Sequence, residues 1–468
     1  MRRVAPLPGS RDAREPVASW RAILAQVLVV AALFFLYLGT ATFDQRQNID
    51  TLSTLVPAWQ LASHGNVFAD QYGGFTPWFV EVRDHVVSNR LPGAILWATP
   101  FYLLLGRGGA LAPLYPAAVA SAAAAALAAW FLYRVLLRIC VRRVAVCAAL
   151  LFALATPTWS ISADALWTHG PAQLFLALSL LLYAKQRYAA GGLSQGFAIL
   201  IRPHLAVVPL VQGIWTGVAQ RSLRPALVVG LTSALGIAGL LLYYRLVYRV
   251  WTVAGGYGRL GGYAEGDQSD LEPRLRNFAH LGTNVLGALV SPGRGMLVYT
   301  PFLLLLLPGL HAAWRTAPVW ARSAAVAGVV YALVQLGNNS FAGGEDFFGY
   351  RLMLEPLTLW APLLALSYQS WTDARRWRRA LFAVAAAGTA VWQATAAVSH
   401  SDFQHPLHPW SHTGYADVGG QQPVLLLAFS VVGLLVLAAA PVRSRLARGG
   451  ATVQPGGSRP STQSRERS

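Results

Sequence analysis

Asp50 is the side chain in this 468-residue sequence best placed to move a proton. It stands in Asn48-Ile49-Asp50-Thr51, past the first apolar run, in a polar stretch (40–90) that also holds Asp44, Asp70, Glu81 and Asp84. A carboxylate beside an apolar surface helix is partly desolvated, which raises its pKa and suits it to accept a proton from a hydroxyl group. Capping of a following helix is the structural alternative for Asp50, and the two roles are compatible. Asp70 is the second-choice acid.

Cations supply the complementary chemistry. Arg202 in Ile201-Arg202-Pro203-His204, Arg294 in Ser291-Pro292-Gly293-Arg294-Gly295 and Arg351 in Gly349-Tyr350-Arg351 all fall at ends of apolar runs. An ionisable residue at that depth is costly and points to function. A guanidinium group suits a phosphate, and the Gly-flanked Arg294 can add backbone N–H groups. The structural alternative is snorkelling, or pairing with an acidic loop residue. His169, Tyr299 and Glu345 complete the candidate pocket. His405, His408 and His412 have the spacings of three and four that hold a divalent metal ion on a helix, but Pro406 and Pro409 interrupt that helix.

The elements that must position these residues are hydrophobic. The chain is 55% hydrophobic and 12% charged, against roughly 25% charged in soluble domains. Apolar runs near 21–39, 110–133, 144–161, 170–184, 193–201, 204–219, 225–243, 296–311, 322–337, 353–369, 380–399 and 422–441 predict an all-α polytopic membrane protein with about 12 transmembrane helices. With the N-terminus inside, 25 of the 37 basic residues are cytoplasmic and 15 of the 19 acidic residues lie outside. The net charge of +18 is therefore a topology signal and not a nucleic-acid footprint.

The expected organisation is a basic cytoplasmic N-terminus (1–20), a transmembrane domain (21–441) and a disordered cytoplasmic tail (442–468). Outer loops fall at 40–109, 244–295, 338–352 and 400–421. The first is structured, with an amphipathic surface helix over 51–63 and a short apolar helix over 91–105. Thr156-Pro157 and Arg202-Pro203 predict broken helices, which membrane proteins tolerate where they line a cavity or are buried. Cys140 and Cys147 sit at a cytoplasmic boundary and predict no disulfide.

Several segments together resemble the C-type glycosyltransferase superfamily (GT-C), near its protein-mannosyltransferase and aminoarabinose-transferase branch. They are Asp50-Thr51 with Leu61-Ala62-Ser63-His64-Gly65, Arg90-Leu91-Pro92-Gly93 running into Pro100-Phe101-Tyr102, Arg202-Pro203, Ser291-Pro292-Gly293-Arg294-Gly295 before Tyr299-Thr300-Pro301, and Gly343-Gly344 to Tyr350-Arg351. The resemblance implies a helical bundle whose active site faces the extracytoplasmic side. It implies a sugar donor on polyprenyl phosphate, inverting transfer, Asp50 as base and Arg202 as a donor-phosphate contact. The chain departs from the pattern in having no second acid next to Asp50 and no large soluble outer domain. A lipid or cell-envelope glycan as acceptor fits the second departure. The residues specify no cofactor, with a divalent metal ion the one candidate. A transporter or lipid flippase, or a non-catalytic scaffold of the same fold, is the alternative reading.

Overall fold

A computed structural model of the chain describes residues 20–43, 48–74, 78–106, 108–253, 278–344, 346–372, 375–399 and 409–434. The helices in order are α1 (Trp20–Gly39), α2 (Ile49–His64), α3 (Pro92–Leu105), α4 (Tyr115–Leu136), α5 (Arg142–Leu154), α6 (His169–Ala184), α7 (Tyr188–Ile201), α8 (Val207–Gln220) and α9 (Arg224–Val247). They continue as α10 (Leu281–Val290), α11 (Met296–Tyr299), α12 (Leu310–Thr316), α13 (Val319–Asn338), α14 (Leu354–Thr372), α15 (Arg376–Ser399) and α16 (Gly414–Gln421).

The chain is a multi-pass membrane protein. Five of the described helices are long and apolar enough to cross a bilayer alone: α1, α4, α9, α13 and α15. A sixth crossing arises if α16 and the following helix Pro423–Leu434 are one bent span. That is fewer than the roughly twelve spans expected, and several of the remaining apolar runs form short or interrupted helices. The 14 residues of α7 cover about 21 Å at 1.5 Å per residue. The 296–311 run is broken into α11, a 3₁₀ segment Pro301–Gly309 and α12, with Pro301 and Pro308 removing the backbone donors a continuous helix would need. The breaks at Thr156-Pro157 and Arg202-Pro203 are present. A π-type turn, Thr158–Ser162, follows the first, and a 3₁₀ turn, Pro203–Ala206, follows the second.

Small residues set the packing. In α4, Ala117, Ala118, Ala120, Ala122, Ala124, Ala125, Ala128 and Ala129 are buried, which lets neighbouring backbones approach closely. Between α7 and α9 the contact is backbone on backbone: a Cβ built at Gly236 would fall 2.1 Å from the Gly196 carbonyl oxygen. Leu210, Ile214 and Val218 on α8, with Leu227, Leu231 and Leu235 on α9, stay exposed at four-residue intervals and form a lipid-facing stripe.

The segment after α1 is structured, as expected, but α2 does not float on a surface. Thr51 and every residue from Ser53 to Gln60 are buried, against α3 and beneath the antiparallel hairpin of β1 (Phe79–Val82) and β2 (His85–Ser88), in register Phe79↔Ser88 to Val82↔His85. Leu55, Val56 and Trp59 share a core with Ile95, Ala98 and Tyr102 of α3. This packing fixes the first turn of α2 and the run from Ser88 to Arg90 relative to each other.

Candidate active site

Asn48 starts α2, its side-chain oxygen accepting the Asp50 N–H at 2.7 Å. Asn48 is therefore the cap, and the Asp50 carboxylate is left to face other partners. One oxygen accepts a hydrogen bond from the Arg90 guanidinium and the other from Arg351 at 2.7 Å. Both cations are held from behind. Arg90 Nε donates to Ser53 Oγ at 2.9 Å, and its guanidinium lies over the Trp78 ring at 4.9 Å. Arg351 lies over Trp167 at 4.9 Å and Phe347 at 5.3 Å, stacking that Arg favours over Lys.

This geometry reverses one sequence expectation. Burial alone would raise the Asp50 carboxyl, but the charges of Arg90 and Arg351 and their hydrogen bonds outweigh it and hold the group at about 2, below its ordinary 3.8. Asp50 is thus a fully ionised carboxylate between two cations.

A second charged group lies deeper. Helix α7 ends at Ile201 because Pro203 cannot continue it, and Arg202 is extended, with φ −146°. Its guanidinium donates to Tyr331 OH (3.1 Å), Thr168 Oγ1 (3.1 Å) and Gln335 Oε1 (3.2 Å). Glu355, in the first turn of α14, reaches Arg202 Nε at 3.5 Å. His169 Nδ1 donates to the same Glu355 oxygen at 2.8 Å, which fixes the imidazole tautomer. Buried charges are tolerated when paired and hydrogen-bonded, as here.

Both groups border one cavity of about 290 Å³, lined among others by Asp50, Arg90, Arg351, Arg202, His169 and Trp167. Gln335, Asn338 and Asn339 at the end of α13 form a neutral wall. The fold thus brings Asp50, Arg202, Arg351 and His169 together from four distant parts of the sequence. Arg90 and Glu355 join them without having been chosen as site residues. Glu355 had a signal, a lone acid in the apolar run 353–369. Arg90 had only its place before Leu91-Pro92.

The other candidates lie elsewhere. Asp70 accepts the Val86 N–H and pairs with His85 at 3.1 Å on the exposed hairpin. Tyr299 is buried, accepts the Gly414 N–H at 2.9 Å and stacks on Tyr415. Arg294 does not line the cavity; its guanidinium donates to backbone carbonyl oxygens. Glu345, His405 and His408 lie outside the described residues, and His412 pairs with Asp417 at 2.9 Å. Among the described residues no three His, Cys, Asp or Glu side chains are grouped to hold a metal ion.

No protein-family model matches the chain, and none of the curated proteins does. Solved structures do. ArnT from Cupriavidus metallidurans in the apo state superposes with a TM-score of 0.53 at 16% identity, over 90% of this chain and 73% of that one. The apo form of the Archaeoglobus fulgidus oligosaccharyltransferase gives 0.51 at 13% identity, over 83% of this chain and 57% of the larger enzyme. At these identities the likeness is one of fold. The chain is a polytopic, all-α membrane protein with the GT-C-type fold of ArnT and oligosaccharyltransferase.

Proposed function

We propose that this chain is a membrane glycosyltransferase that moves a sugar from a polyprenyl-phosphate donor to a lipid or glycan acceptor on the extracytoplasmic side, with inversion. The observation that carries the reading is one ionised carboxylate, Asp50, and three guanidinium groups, Arg90, Arg202 and Arg351, on a single cavity of a GT-C-type fold. The excess of basic residues in the segments assigned to the cytoplasm supports this orientation.

In this reading the acceptor hydroxyl oxygen bonds to the anomeric carbon as the bond from that carbon to the phosphate oxygen breaks. The electron pair leaves with polyprenyl monophosphate, and the hydroxyl proton passes to Asp50. The guanidinium groups stabilise the leaving phosphate, an electrostatic task worth several kcal/mol in a site that excludes water. They also govern the base. While Arg90 and Arg351 hold Asp50, its carboxylate is weakly basic; when the donor phosphate draws them away, its basicity rises. Base activation is thereby tied to donor binding.

The test is transfer of radiolabelled sugar from a panel of synthetic polyprenyl-phosphate sugars, with an envelope lipid and glycan extract as acceptor. Incorporation by wild type and not by folded Asp50→Asn supports the proposal. Folded wild type that transfers from no donor overturns it in favour of transport or a scaffold role.

A further inference from the structure

Arg294 is buried, with only 6% of its surface exposed, and the activity proposed above gives it no contact with the cavity. It stands beside an unusual loop. Between Ala342 and Arg351, Gly343 (φ 67°), Gly344 (φ 93°), Asp346 (φ 60°) and Gly349 (φ 88°) are all left-handed. Such a segment cannot form a regular hydrogen-bond ladder, and its buried carbonyl oxygens need donors from elsewhere.

Arg294 supplies them. Nε donates to the Ala342 carbonyl (3.1 Å), one terminal nitrogen to Phe347 (2.9 Å) and Gly349 (3.4 Å), and the other to Gly344 (3.2 Å). The guanidinium also lies 4.0 Å from the centre of the Phe347 ring, the ring that Arg351 approaches at 5.3 Å. The turn carrying Arg294 is itself tight. Ser291 Oγ accepts the Arg294 N–H at 3.1 Å, and a Cβ built at Gly295 would meet the Ser291 carbonyl oxygen at 2.5 Å. At the far side of the loop, Asp346 accepts a hydrogen bond from the Asn48 amide at 2.7 Å, beside the start of α2.

We infer that Arg294 is a positioning residue: by gathering the carbonyl oxygens of Ala342, Gly344, Phe347 and Gly349 it sets where the loop delivers Arg351 to Asp50. The inference rests on the proposed transferase reading for its consequence in activity, and on geometry alone for the loop. Five donors in a rigid planar fork suit several diverging carbonyls, whereas a Lys ammonium offers three donors from one point. Lys at 294 keeps the charge and loses the arrangement.

The experiment compares purified full-length wild type, Arg294→Lys, Gly349→Ala, Arg351→Gln and the Arg294→Lys/Arg351→Gln double variant. Hydrogen–deuterium exchange of the 340–352 segment should rise about tenfold in Arg294→Lys and in Gly349→Ala, with other segments unchanged. KM for a polyprenyl-phosphate sugar should rise about tenfold in Arg294→Lys, and the double variant should be no worse than Arg351→Gln alone. Unchanged exchange in 340–352, loosening throughout the chain in both loop variants, or multiplicative losses in the double variant would overturn the inference. If wild type turns over no donor while Arg294→Lys still loosens the loop, the transferase reading fails and the positioning of the loop stands.

Discussion

Asp50, which lines the cavity, and Glu355, which lies behind Arg202, are both carboxylates paired with arginine, yet Asp50 keeps 19% of its side chain exposed and Glu355 none. Asp50 meets Arg90 and Arg351 through two hydrogen bonds, and each cation also lies over an aromatic ring, Trp78 for Arg90 and Trp167 for Arg351. Arg202 beneath has Thr168, Tyr331 and Gln335 besides Glu355. In the proposed reading the upper group exchanges one anion for another, and the lower group stays. In that reading the pair at the mouth yields to the donor phosphate, while Arg202 remains a fixed cation on the floor, held by Glu355.

Asp50→Asn should lower transfer by about 10²–10⁴-fold, the range for a lost general base. The same variant should bind polyprenyl monophosphate more tightly than wild type, since it removes the competing anion. Unchanged or weaker binding, measured by titration calorimetry, would mean that the pair does not exchange.

Glu355→Ala should act on the fold instead. Leaving the buried Arg202 without its carboxylate should destabilise the protein by about 3–5 kcal/mol, read as a lower thermal midpoint in detergent. A midpoint equal to wild type would remove the distinction between mouth and floor.

The pH dependence sharpens it further. The Asp50 carboxyl is depressed from 3.8 to about 2, so its contribution is present above the ordinary value and lost as pH falls through the depressed one. That contribution is about 2 kcal/mol, and denaturant titrations between pH 4 and 2 should show it in wild type and not in Asp50→Asn. The smallest effect belongs to Asp70→Asn. Its partner His85 is as exposed as Asp70 itself, and such pairs contribute little. Stability should change by less than about 0.5 kcal/mol, and transfer rates should match wild type.

Much of this was legible beforehand. Hydropathy specified a helical membrane protein, and Thr156-Pro157 and Arg202-Pro203 marked two of its helix breaks, although Pro57, Pro100 and Pro362 lie inside continuous helices. Arg202 and His169 stood out as polar groups at helix ends, and Asp50 as an acid beside an apolar helix. The raised pKa expected for Asp50 was wrong because its two cations come from Arg90, 40 positions away, and Arg351, 301 positions away. Local sequence carries no term for such charges. Arg294 and Arg351 looked alike, each within two residues of a glycine at the end of an apolar run. Which one reached the cavity depended on the path of 342–349, set by left-handed residues and converging carbonyl oxygens.

By itself, then, the sequence determined the solvent this protein needs and two of the places where its helices stop, at Pro157 and Pro203. Those follow from side-chain transfer energies and from proline's missing N–H, both local properties. Only the tertiary structure decided which charges meet. Short-range electrostatics depends on separations of a few ångströms between groups far apart in the chain, and those separations are products of packing.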